Sequence, residues 1–254
     1  MSETRMPEGD ARLGLLEHLL ELRRRVIRAV LALVAVTVCL LPFMEPIFEF
    51  FSRPLLAILP GDGKMLAIGV ISPVMVPLKL TLFVALILAL PFIFYQIWSF
   101  VAPGLYRREK RLLLPAITFS FLLFLLGVAY CYFIVFGLIF SFIAGYAPES
   151  VQFAPDIDAY IGFILRMFLA FGLTFEVPAV VLFVHLTGLV SLDRLVSLRR
   201  YVIALAFVLA AIVTPPDVVS QFMLALPIIV LYELGLGLAR LLMPRRVLAE
   251  PEPR

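Results

Sequence analysis

Charge is scarce in this chain. Only 15% of its 254 residues are Asp, Glu, Lys or Arg, against about 25% in an average protein. That excludes intrinsic disorder, which needs high charge and few apolar residues. The formal net charge of +3 is too small and too widely spread for a nucleic-acid footprint. Cysteine and histidine are almost missing as well. Cys39 and Cys131 both stand in apolar runs, so neither a disulfide scaffold nor a metal-ligand spacing can be built from them. The two histidines, His18 and His185, are far apart in the sequence. No His-Glu-x-x-His, Gly-x-Ser-x-Gly or Gly-x-x-x-x-Gly-Lys-Ser/Thr string occurs, so the signatures of the common hydrolases and nucleotide-binding enzymes are absent. No cofactor is expected and the chain does not read as an enzyme. What fills it instead is apolar: 63% of residues are hydrophobic and the mean hydropathy is +1.09. A soluble domain is roughly 45–50% apolar and has no interior for the excess. This is the composition of an integral membrane protein.

A hydrocarbon core of ~30 Å needs about 20 apolar residues of helix. Runs of this kind recur six times: from Val26 to near Phe48, Val74 to Val101, Pro115 to Ile143, Tyr160 to Leu186, Tyr201 to Val213, and Val218 to Leu238. The Lys/Arg bias of the flanks sets orientation. With the N-terminus in the cytoplasm, 17 of the 21 basic residues fall on the cytoplasmic side. Among those left, Arg53 and Lys64 lie opposite, and Lys79 and Arg166 just inside helix ends. The opposite loops are acidic, with Glu45, Glu49, Asp62, Glu149, Asp156, Asp158 and Asp217. Six helices with both termini cytoplasmic are expected. The polar, Arg-rich start leads into a run too long for a signal-peptide core, so the first span is expected to stay as an anchor. With no organelle transit peptide in the chain, the expected home is a bacterial inner membrane. An outer loop is expected over Glu45–Pro73, and a polar tail over Pro244–Arg254.

Two cytoplasmic segments present acids among bases. Over Gly14–Arg28, Leu15, Leu19, Leu22 and Val26 recur at helical spacing, while Glu17, Glu21, Arg24, Arg25 and Arg28 form another stripe. This pattern fits i,i+4 pairing of Glu21 with Arg25 and snorkelling arginines. It equally fits a carboxylate offered to a cationic partner at the membrane surface. In the second segment Pro103-Gly104 ends a helix and Glu109 stands alone among Arg107, Arg108, Lys110 and Arg111. Glu109 either neutralises these neighbours or is a second acid on the same membrane face as Glu21, so that two guanidinium groups could be received bidentately.

Within the fourth run, Glu176 lies about 16 residues from the start and 10 from the end. A charge at that depth costs roughly 2.5–3.5 kcal/mol on insertion scales, so Glu176 should face the bundle interior or a wet cavity. Glu233, near the inner end of the sixth run, carries a weaker form of the same argument. The fifth run covers only ~20 Å at 1.5 Å per residue and stops at Thr214-Pro215-Pro216-Asp217. This is either a plain tight hairpin or, with Gln221, a polar patch suited to another polar-bearing transmembrane helix.

These segments resemble the TatC family, the large membrane subunit of the twin-arginine protein translocase. His18-Leu19-Leu20-Glu21-Leu22-Arg23-Arg24-Arg25 is similar to its N-terminal signature. Tyr95 to Tyr106 with Glu109-Lys110-Arg111, Phe171-Gly172-Leu173-Thr174-Phe175-Glu176-Val177-Pro178, and Thr214-Pro215-Pro216-Asp217 with Ser220-Gln221 and Pro227 are similar to its later motifs. The resemblance runs in order from about Leu16 to Arg240. Val74 and Met75 stand where many relatives carry an acid or phenylalanine, and Ala210 and Ala211 leave the polar patch near Thr214 sparse.

The resemblance implies an all-α membrane protein with six transmembrane helices, a concave bundle and short fifth and sixth helices. Its segments would be 1–25 cytoplasmic and amphipathic, 26–240 membrane domain, and 241–254 polar tail. It implies a receptor for twin-arginine signal peptides that helps pass folded proteins across the membrane with the proton-motive force. Glu21 and Glu109 would recognise the arginine pair, with Arg23 and Phe100 in the same surface, and Glu176 would be the intramembrane polar group. Thr214, Gln221 and Asp217 would serve docking of single-span TatA/TatB-type subunits. Further copies of the chain and membrane lipids are the other implied partners; nucleic acid is not one. The contrasting reading is an ion-coupled small-solute transporter, which would also explain a mid-membrane Glu but predicts paired broken helices in two related halves.

Overall fold

The computed structural model of the chain describes residues 8–56, 65–101, 113–146, 156–186, 188–214 and 218–242. The described elements are helical: α1 (Glu8–Leu40), α2 (Met44–Leu56), α3 (Ser72–Val101), α4 (Leu113–Tyr130), α5 (Phe136–Tyr146), α6 (Ile157–Phe175), α7 (Val177–Leu186), α8 (Leu192–Ser197), α9 (Arg199–Val213) and α10 (Val218–Leu242). Among the described residues, five helices are long and apolar enough to cross a membrane: His18–Arg53, Ser72–Phe100, Leu114–Ser141, Ile157–His185 and Val218–Leu241. They correspond to the first four and the last of the expected runs. The expected fifth run is α9, whose 15 residues reach only ~22 Å at 1.5 Å per residue.

Three expectations need correction. The sixth run is not short, because α10 is a 25-residue helix; only α9 is abbreviated. The segment expected to be a loop from Glu45 begins as helix. A single 3-10 turn, Leu41–Phe43, joins α1 to α2, and Pro42 is tolerated there because the first residues of a turn need no intrahelical N–H partner. Glu45 in the first turn and Arg53 in the last turn of α2 match the helix dipole. The fourth run is two helices, broken at Glu176.

Two compact units can be distinguished, one formed by residues 1–48 and 77–121, the other by 49–76 and 122–254. In the first, no described side chain of α1 is buried. Its N-terminal half is nevertheless tied to the end of α3, where the His18 ring stacks on Phe100 with centroids 4.3 Å apart.

In the second unit, α10 packs on α6, α7, α8 and α9. Lipid is as apolar as leucine, so close fit rather than water exclusion holds such helices together. Small residues supply that fit. A Cβ on Gly235 of α10 would lie 3.0 Å from the Pro178 Cα of α7, and Ala206 and Ala210 are fully buried on α9. A cluster of Val181, Leu195, Tyr232 and Leu236 seals the α7–α8–α10 junction, and the Tyr232 hydroxyl donates to the Leu195 carbonyl at 2.6 Å. Gly188, with φ of 70°, makes the left-handed turn after α7 that residues with a Cβ rarely adopt. Beyond α5, Asp156 caps α6 by accepting from the Ala159 N–H at 3.2 Å, while the Ile157 N–H donates to Leu66 O at 2.8 Å. That pairing pins the segment before α3 to the start of α6.

Between α4 and α5, Cys131–Val135 forms a π-helical turn, closed by the Phe136 N–H donating to Cys131 O. Phe136 and Phe168 are fully buried, with ring centroids 5.2 Å apart, so this irregular turn is locked against α6.

Candidate functional site

Within the first unit, the N-terminal half of α1 and the C-terminal end of α3 gather one acid, one base, two rings and an apolar groove. Helical spacing puts Glu21 and Arg25 one turn apart on α1. The Arg25 Nε donates to Glu21 Oε1 at 3.1 Å, and its Nη2 reaches the same oxygen. Arg25 also extends Nη1 to the Gln96 carbonyl of α3 at 3.4 Å, so one guanidinium links the Glu21 carboxylate to α3. Beneath it lies a groove of about 240 Å³, lined by Leu22, Val26, Ile93, Gln96, Ile97 and Phe100 among others. Apart from Arg25 and Gln96 its walls are apolar. The charged lining residue is Arg25, and through it the Glu21 carboxylate is held next to the apolar groove, a combination that suits a cationic group followed by an apolar chain.

Of the residues expected here, Glu21 and Phe100 are brought to the same end of α1 and α3. Arg23 is exposed on α1. Glu109 lies outside the described residues. The i,i+4 pairing of Glu21 with Arg25 expected from the sequence is present, whereas sequence reasoning did not single out Gln96. Gln96 had a signal, being the polar residue amid Phe92–Trp98, and it is buried. Only the fold shows that its backbone oxygen is the acceptor.

Glu176 marks the break between α6 and α7. Its N–H donates to Leu173 O at 3.1 Å and its own carbonyl accepts from Val180 at 2.9 Å. Two residues on, Pro178 offers no N–H to the preceding turn, which is the ordinary cause of such a break. The residue is half-buried with its Oε1 atom shielded from solvent. Around this level the helices approach closely: a Cβ on Gly127 would lie 2.5 Å from the Phe171 carbonyl oxygen, and one on Gly172 would lie 2.5 Å from the Phe124 ring. Glu233 has a simpler account. Its Oε2 accepts from Arg199 Nη2 at 2.7 Å and both side chains are exposed, so its charge is met by a basic partner at the start of α9.

At the opposite end of α9, Thr214 is buried and its hydroxyl donates to Ala210 O in its own helix at 2.8 Å. Gln221 of α10 donates Nε2 to Phe207 O at 3.2 Å, and Phe207 meets Phe222 edge to face at 5.1 Å. Gln221 therefore ties α10 to α9, whereas the Thr214 hydroxyl bonds only within α9. The outer face of α9 stays apolar and open, with Leu205, Val208 and Ile212 exposed. Asp217 lies outside the described residues. The described residues contain no cluster of His, Cys, Asp and Glu suited to a metal ion.

Residues 17–227 match the family described as Sec-independent protein translocase protein (TatC). The chain is 47% identical over 227 residues to the Sec-independent protein translocase protein TatC of Halothiobacillus neapolitanus, covering 89% of this chain but 62% of that relative. It is 43% identical to the Escherichia coli K12 protein of the same description, covering 89% and 88% of the two chains. Among solved structures, a crystal structure of the twin arginine translocase receptor TatC superposes with a TM-score of 0.78 at 35% identity, over 88% of this chain and 98% of that one. The motifs, the multi-pass helical architecture and these similarities agree: the chain belongs to the TatC family of bacterial Sec-independent protein translocase proteins, a transport family and not an enzyme family.

Proposed function

We propose that the chain is the signal-peptide receptor of a twin-arginine translocase, with six membrane-crossing helices, both termini cytoplasmic and a concave bundle in which α9 is the short fifth span. In this reading residues 1–25 form the cytoplasmic entry segment, 26–240 the membrane domain and 241–254 the tail. Glu21 and Glu109 accept the paired guanidinium groups, and Arg23 and Phe100 border the same surface. The apolar part of the peptide then enters beside Glu176. Thr214, Gln221 and Asp217 belong to the thin end of the hairpin, where single-span TatA/TatB-type subunits gather. Further copies of the chain complete the complex, and the proton-motive force drives passage of folded cargo.

One observation carries the reading: the Glu21 carboxylate already receives a guanidinium, that of Arg25, and Arg25 lines an apolar groove. Charge-assisted bonds of this kind favour Arg over Lys through their fixed fork geometry. Family membership also speaks against the ion-coupled solute transporter. The test is binding of a twin-arginine signal peptide in nanodiscs against the same peptide carrying two lysines, on native chain and on Glu21→Ala with Glu109→Ala. Preference for the arginine peptide that disappears in the double variant supports the reading. Equal binding of both peptides by the native chain, with and without a single-span partner, overturns it.

A further inference from the structure

The second unit carries a groove of its own, of about 340 Å³, that the receptor reading does not use. Its lining includes Arg53, Tyr132, Phe136, Gly137, Phe140 and Ser141. Arg53 stands in the last turn of α2, and the aromatic wall is built on the π-helical turn and α5. A basic side chain near the end of an apolar helix can snorkel toward the membrane surface while its stem stays against apolar walls. The Arg53 side chain is exposed. Among the described residues no carboxylate lies within ion-pair distance of it, although Glu49 is one turn back on α2.

The wall is built rather than incidental. Tyr132 belongs to the π-helical turn, where one extra residue redirects the side chains that follow. The Tyr132 hydroxyl donates to Phe50 O at 3.4 Å, and its ring stacks on Phe50 with centroids 5.4 Å apart. Phe136 and Phe140, at 5.4 Å, continue the surface and are buried behind it. A Cβ at Gly137 would meet nothing within 4 Å, so this glycine leaves a slot open without being required for packing.

We propose that this groove holds one phospholipid, with Arg53 taking the phosphate and one acyl chain lying in the slot over Gly137. A guanidinium with no carboxylate partner among the described residues complements a phosphate through two parallel N–H bonds. The apolar walls below it accept a chain and nothing charged.

Native mass spectrometry of the full chain in detergent tests the site, with phosphatidylglycerol, phosphatidylethanolamine, diacylglycerol of the same chains, or inorganic phosphate as probes. The expected result is retention of one copy of either phospholipid and of neither diacylglycerol nor inorganic phosphate. Arg53→Gln should weaken phospholipid retention about tenfold, the loss of a bond to a charged group. Arg53→Lys should restore part of it, and Gly137→Phe should empty the slot. Unchanged helical circular dichroism in all three variants separates these effects from misfolding. Retention that is insensitive to both Arg53→Gln and Gly137→Phe overturns the proposal, as does diacylglycerol binding as well as phospholipid. It is equally overturned if Gly137→Phe leaves lipid retention intact and instead releases a co-purified single-span subunit, because the groove would then be a helix-docking face.

Discussion

Arg25 and Glu21 share a single carboxylate oxygen: Nε of the arginine donates to Oε1 at 3.1 Å, and Nη2 of the same guanidinium donates to that atom too. If Glu21 receives a ligand arginine as proposed above, Arg25 holds the place that arginine would take. Both side chains remain partly exposed, and a pair of this kind at i,i+4 is weak and salt-sensitive. A ligand can therefore displace it.

Replacing Arg25 by alanine should consequently tighten, not weaken, binding of a twin-arginine peptide, by about twofold at low salt. The gain should shrink as salt is raised past the point where the Debye length falls to a few ångströms. Arg25→Ala also removes the reach to the Gln96 carbonyl, so a helix-content control belongs beside it. Peptide titration in nanodiscs at two ionic strengths checks this; weaker binding of the variant at both would make Arg25 part of the receptor surface rather than a place-holder.

The α9–α10 hairpin gives a prediction that separates two residues grouped together by the sequence. Gln221 bonds across to Phe207 of the neighbouring helix, whereas Thr214 bonds within its own. Gln221→Ala should cost ~0.6 kcal/mol, the average for an interhelical side-chain bond in a membrane protein. Thr214→Val, which keeps the shape, should cost less. Thermal unfolding in detergent measures both, and a larger loss for Thr214→Val would contradict the geometry.

Three glycines should respond in a fixed order. Alanine at Gly127 places its Cβ 2.5 Å from a backbone oxygen of Phe171, which can move only with α6; at Gly172 the obstacle is the ring of Phe124, and at Gly137 there is none. Overpacking of this kind costs typically 1–3 kcal/mol. The unfolding midpoint should fall most for Gly127→Ala, less for Gly172→Ala and not at all for Gly137→Ala. Any other order would show that the α4–α6 approach differs in solution.

How much of this could be read from the residues varies with the physics that fixes each part. Hydropathy reports which segments avoid water, so the runs that became α3, the α4–α5 span, α6–α7 and α10 were legible, as was the shortness of α9. Backbone irregularity is set by local hydrogen bonding, to which hydropathy is blind. The π-helical turn at Cys131–Val135 has no compositional sign at all. The break at Glu176 had one in Pro178, and α2 had one in the Glu45 and Arg53 ends that suit a helix dipole. At the candidate site, Glu21 was picked out by its place on a charged stripe. Its link to Gln96 was not, because a backbone carbonyl acceptor leaves no trace in residue identity.

Glu176 offers the sharpest separation of stability from function. A carboxylate at this depth is expensive to insert, roughly 2.5–3.5 kcal/mol if charged, and the helix already breaks beside it at Pro178. If the acid is kept for transport, Glu176→Leu should leave the protein equally or more stable while export of twin-arginine cargo falls severalfold. Glu176→Gln, which retains hydrogen-bonding capacity without charge, should fall between. Peptide binding at the proposed Glu21 site should be unchanged in both variants. The measurements are the unfolding midpoint in detergent, cargo export in cells and peptide titration in nanodiscs. A stability loss in Glu176→Leu that matches the loss of export would instead assign the carboxylate to holding the α6–α7 break together. Full export by Glu176→Leu would remove it from the transport path altogether.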